Sequence, residues 1–120
     1  MFKIAILLFA VAAVIGLSMA VAHFRGQTPP KLAVALLHGL FAASGLVVLL
    51  LGVMQVGMSG KPAIALGLFL IAALGGFTLL SFHLRGRALP NGLIVGHAVL
   101  AVLGFLTLLA AVFLVSPVSP

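Results

Sequence analysis

The chain has 120 residues, 65% of them hydrophobic and 5% charged, with six Lys and Arg, no Asp or Glu and no Cys. Soluble domains carry about 25% charged residues, so a water-soluble globule is excluded and the lipid bilayer is the expected solvent. The missing carboxylates and thiols exclude intramembrane carboxylate relays, acid–base pairs, hard-cation sites, disulfides and iron–sulfur clusters.

The formal net charge of +6 is scattered singly or in pairs between apolar stretches. Lys and Arg at such positions anchor helices to the membrane interface. They form no continuous basic patch, so no nucleic-acid partner is expected.

Taken in chain order, the first apolar stretch is Phe2–Phe24. Lys3, the apolar run and Ser18-Met19-Ala20 resemble a secretory signal, but an internal repeat described below makes this stretch a retained helix. A break follows from Arg25-Gly26 to Pro29-Pro30-Lys31. The second stretch, Leu32–Met58, ends at Ser59-Gly60-Lys61-Pro62, and the third is Ala63–Leu84. After Arg85-Gly86-Arg87-Ala88-Leu89-Pro90-Asn91 comes the fourth, Gly92–Val115. Proline is tolerated in a first helical turn and glycine ends helices cheaply, so Pro30, Pro62 and Pro90 mark the starts of helices two, three and four. Each stretch reaches the roughly 20 residues that a spanning helix needs.

A shift of 60 places Ile4, Ala5, Leu8, Phe9, Ala12, Ala13, Gly16, His23, Arg25 and Gly26 on identical residues at 64, 65, 68, 69, 72, 73, 76, 83, 85 and 86. Beyond the loop the shift becomes 59, and His38, Ala42 and Gly45 fall on His97, Ala101 and Gly104. The expected fold is therefore an all-α integral membrane protein, a four-transmembrane-helix bundle built from a tandem duplicated hairpin. Residues 1–60 form repeat one and residues 61–120 repeat two, within one membrane domain. Two helices per repeat give both copies the same orientation, with a pseudo-twofold axis along the membrane normal. All four histidines then lie toward one side of the membrane.

The histidines divide by depth. His23 and His83 sit at helix ends, where an interfacial anchor or a hydrogen-bonded residue is the ordinary reading. His38 and His97 lie seven or eight residues beyond the helix-starting prolines, about 10–12 Å along the helix. Polar groups at that depth face a bundle interior and mark functional sites. Ala42 and Gly45 share the face of His38, as Ala101 and Gly104 share that of His97. Gly16 precedes His23 by seven residues, and Gly76 precedes His83. Small residues let membrane helices approach; beside inward histidines they also leave room for a flat cofactor.

Imidazole suits haem iron, and also zinc, copper or nickel. Arg25 and Arg85, with Arg87 and Lys31, stand at the histidine-side boundary, where they can pair with haem propionates or simply anchor the helices. The histidines, the two Arg-Gly pairs and the four-helix layout resemble the small b-type cytochromes of bacterial membranes. The resemblance implies haem b held by histidines, a multi-pass location in the bacterial inner membrane, and electron exchange with quinone, superoxide or a redox partner. Whether the chain is an oxidoreductase component stays open at this point, and no residue in the sequence looks catalytic. Better-known members place haems near both membrane faces. Clustering of all four histidines toward one face departs from that pattern and from conduction across the bilayer.

Two arrangements remain open. In one, His38 and His97 are the axial ligands of a single haem on the pseudo-twofold axis, with His23 and His83 near its propionates. In the other, an odd-helix and an even-helix histidine share each of two haems. The competing functions are a histidine-based copper or zinc protein, with Met54 and Met58 as candidate soft ligands, and a non-catalytic accessory subunit. Exposed glycine faces allow a homodimer. Arg25, Lys31, Arg85 and Arg87, against Lys3, Lys61 and the amino terminus, tilt the histidine-side loops toward the cytoplasm.

Overall fold

The computed structural model describes residues 1–27 and 30–114. These form four helices: α1 (Phe2–Phe24), α2 (Leu32–Val56), α3 (Gly60–Leu84) and α4 (Asn91–Phe113). Val115 and the rest of the chain to residue 120 lie outside the described residues, as do Thr28 and Pro29. Each helix has 23 to 25 residues, about 35–38 Å of rise, against a hydrocarbon thickness of about 30 Å. All four are long and apolar enough to cross a membrane.

Local chemistry explains the boundaries. Pro30 precedes α2, and Pro90 is the N-cap of α4. Pro62 is the third residue of α3, so that helix begins at Gly60, ahead of its proline. The first-turn amides have no intrahelical acceptor, and the missing N–H of proline costs nothing there. Helix α2 ends at Val56, before Met58, because Gly57 turns the backbone to φ +105°.

The His-x-Arg-Gly repeat has a local structural cause. Gly26 and Gly86 adopt φ +71° and +65°, where a side chain would strain the backbone. Around them Gly26 N–H donates to His23 O, and Gln27 N–H to Ala22 O. Gly86 N–H donates to His83 O, and Arg87 N–H to Phe82 O. Both helices thus end in the same Schellman turn, which satisfies their terminal carbonyls.

Within each hairpin the helices pack closely, α1 on α2 and α3 on α4. Across the hairpins, α2 meets α3 and α1 meets α4 more lightly. The buried core gathers Ala5, Phe9, Leu49, Val53, Leu66, Phe69 and Leu108 among others. All of them lie in the half of the bundle away from His23 and His83. At its centre Phe9 and Phe69 stack with ring centroids 3.9 Å apart and planes at 7°. Gly45 and Gly104 back these rings: a Cβ on Gly45 would come 3.0 Å from the Phe9 ring, and one on Gly104 would come 3.2 Å from Phe69.

The outward faces are apolar. Val14 is 71% exposed and Leu74, sixty residues on, 68%. Hydroxyls on this surface are satisfied locally, Ser44 donating to Leu40 O, Thr78 to Leu74 O and Thr107 to Leu103 O. Such back-bonding keeps these three hydroxyls from standing as bare donors on an apolar surface.

Candidate cofactor site

Helices α2 and α4 bring His38 and His97 together across the bundle. Their ring centroids are 6.2 Å apart, with the planes at 79°. Each ring is held from the other helix of its own hairpin. His38 Nδ1 lies 2.7 Å from Ala12 O on α1, and His97 Nδ1 lies 2.7 Å from Ala72 O on α3. A carbonyl oxygen only accepts, so Nδ1 carries the proton in both rings. The lone pair of each imidazole then resides on Nε2. Metal-ligating histidines usually have this second hydrogen bond, which fixes both tautomer and ring orientation.

Glycine permits the approach. A Cβ on Gly16 would stand 2.8 Å from His38 Cε1, and one on Gly76 would stand 3.1 Å from His97 Cε1. Gly16 and Gly76 therefore lie under the deep rings, although in sequence they precede His23 and His83 on the same helices. Gly45 and Gly104, which share a helix face with the deep histidines in sequence, lie against the phenylalanine stack. The small residues thus form two seats in each hairpin, one for a phenylalanine and one for an imidazole.

The shallow histidines occupy the mouth of the same column. His23 Nε2 donates to Asn91 Oδ1 at 2.7 Å, joining the end of α1 to the start of α4. This leaves the His23 lone pair on Nδ1, the reverse of the deep pair. His23 and His83 line a cleft of about 420 Å³ with Gln27, Pro30, Arg87 and Leu89. Arg25 and Arg85 are exposed C-cap residues whose backbone amides donate to Val21 O and Ser81 O. Arg87 is the arginine that lines the cleft.

Among the described residues, no three or more His, Cys, Asp or Glu side chains gather as a metal-binding group. Met54 and Met58 are 66% and 69% exposed. Met54 lies sixteen residues beyond His38 on α2, about 24 Å away, so these sulfurs and the histidines form no common site.

Asn91 and the carbonyls of Ala12 and Ala72 are not among the candidate residues of the sequence. Asn91 carried a usable signal, as a lone amide beginning the helix that meets the His23 end. The two carbonyls carried none, since every residue has one.

Compared with known proteins, the chain matches no family model, no curated protein and no solved structure.

Proposed function

We propose that this chain is a multi-pass membrane b-type cytochrome, of the bacterial inner membrane, holding one haem between His38 and His97. The observation that carries this reading is the deep imidazole pair, with both Nδ1–H groups donating to carbonyls and the rings 6.2 Å apart. A metal bound to Nε2 of two opposed imidazoles at about 2.0–2.1 Å sets their ring centres about 6.3 Å apart. The 6.2 Å between the two ring centres is close to that distance.

The donor set favours haem over a bare metal ion. Zinc sites want three or four protein ligands, and copper(II) a comparable number. A macrocycle supplies four equatorial nitrogens and asks the protein for two axial ones. The chain gathers its deep histidines as a pair and has no Cys, Asp or Glu to complete a larger set. His23 has its Nε2–H on Asn91, which favours the one-haem arrangement over two haems sharing odd-helix and even-helix ligands. A haem held there would supply a one-electron couple, for exchange with quinone, superoxide or a redox protein.

The chain's own residues do the positioning. The carbonyls of Ala12 and Ala72 fix the two imidazoles that would hold the haem, Gly16 and Gly76 seat them, and the Phe9–Phe69 stack closes the column below. Placement in a bilayer rests on four long apolar helices with apolar outer faces. The matching seats in the two hairpins support a tandem duplication with its twofold axis along the membrane normal.

The test is a count of haem per chain, by alkaline pyridine extraction of protein purified from haem-replete cells. One haem b per chain is expected. Colourless protein containing stoichiometric copper or zinc overturns the reading.

A further inference from the structure

The mouth cleft carries chemistry that the deep pair leaves unused. Its walls come from equivalent places in the two hairpins, because each Schellman turn delivers the residue after its glycine to the cleft. In the first hairpin that residue is Gln27; in the second it is Arg87. The walls therefore differ by one positive charge. The histidines differ too. His23 is tied to Asn91, whereas Leu32 occupies the place in the first hairpin that Asn91 holds in the second, at the shift of 59. His83 has no corresponding amide and makes no side-chain hydrogen bond among the described residues.

The cleft thus combines a guanidinium, an amide and an imidazole in a chain with no acidic side chain anywhere. No Asp or Glu can neutralise Arg87, and a guanidinium prefers an oxyanion partner that accepts two hydrogen bonds. Seven residues of α1 separate Gly16, under the deep ring, from His23 at the cleft. That is about 10 Å of rise, a span that porphyrin carboxylate arms and an arginine side chain cover together.

We infer that the cleft is a carboxylate-binding site whose occupant is the carboxylate end of the haem proposed above, and on that reading it rests. Arg87 supplies the charge, and His83 and Gln27 supply further donors. The anchoring arginine is the one following Gly86. Arg25 and Arg85 are the exposed C-cap residues outside the cleft lining, their backbone amides donating to Val21 O and Ser81 O.

The test compares haem with haem dimethyl ester, which has the same macrocycle and no carboxylate charge. Full-length protein in detergent is titrated with each, and binding is followed through the bis-imidazole Soret band. Wild-type protein is expected to bind haem about tenfold or more tightly than the ester. Arg87→Gln is expected to bind both alike with unchanged band positions, its ester complex confirming that it is folded. Lys61→Gln, at the opposite end, keeps the discrimination. Equal wild-type affinities, or discrimination surviving in Arg87→Gln, overturn the inference while leaving a bis-histidine cytochrome standing. A wild-type protein that gives the band with neither porphyrin overturns both.

Discussion

The rings of His38 and His97 stand 6.2 Å apart with their planes at 79°. Near-perpendicular axial imidazoles leave the two iron d orbitals that accept their π donation almost equal in energy; parallel planes split them. Oxidised protein is therefore expected to give a highly anisotropic low-spin paramagnetic resonance spectrum, dominated by one broad low-field feature. A resolved three-line rhombic spectrum from the bound haem contradicts the perpendicular geometry.

Substitutions separate the deep from the shallow histidines. His38→Ala and His97→Ala each remove one Nε2 donor and are expected to abolish the six-coordinate spectrum. His83→Ala is expected to keep the band positions with weaker haem retention, and His23→Ala to keep them while losing the link to Asn91. Loss of the bis-histidine spectrum in His23→Ala or His83→Ala points instead to the two-haem arrangement.

The glycines test the ring seats. Gly16→Ala puts a Cβ 2.8 Å from His38 Cε1, so the ring must move and its bond to Ala12 O must lengthen. Overpacking of this kind costs about 1–3 kcal/mol, and haem affinity is expected to fall with Tm. Gly39→Ala and Gly67→Ala meet nothing within 4 Å. They are expected to leave binding unchanged and to raise helix stability by up to about 1 kcal/mol. Thermal melts in detergent, read by circular dichroism, measure both effects.

The Phe9–Phe69 stack joins the two hairpins at the foot of the column. A double-mutant cycle with Phe9→Leu and Phe69→Leu is expected to give a coupling of about 0.5–1.5 kcal/mol. A coupling near zero indicates that the hairpins do not meet there.

The number and type of the helices were legible because Gly26, Gly60, Gly86 and the prolines at 30, 62 and 90 interrupt long apolar runs; the earlier end of α2 at Gly57 was not, because Gly57 lies inside an apolar run. The proximity of His38 and His97 was foreshadowed by the repeat, since equivalent positions in two parallel copies meet near the axis between them. Which glycine serves which ring was not legible. Spacing of seven residues along one helix places Gly16 on the face of His23, but the ring seated on Gly16 comes from α2. Periodicity orders the residues within a helix and does not say which neighbour fills a gap. The start of α3 at Gly60 was hidden for a related reason, because a proline is allowed anywhere in the first turn. The acceptors on Ala12 and Ala72 belong to the backbone, so no residue type announced them.

The central claim, haem held between His38 and His97, is tested most directly by the absorption spectrum of purified full-length protein, first oxidised and then reduced with dithionite. The account predicts a sharp reduced α band and a red-shifted, intensified Soret band, both absent in His38→Ala and His97→Ala. A spectrum without haem bands, or bands that persist unchanged in both variants, contradicts it.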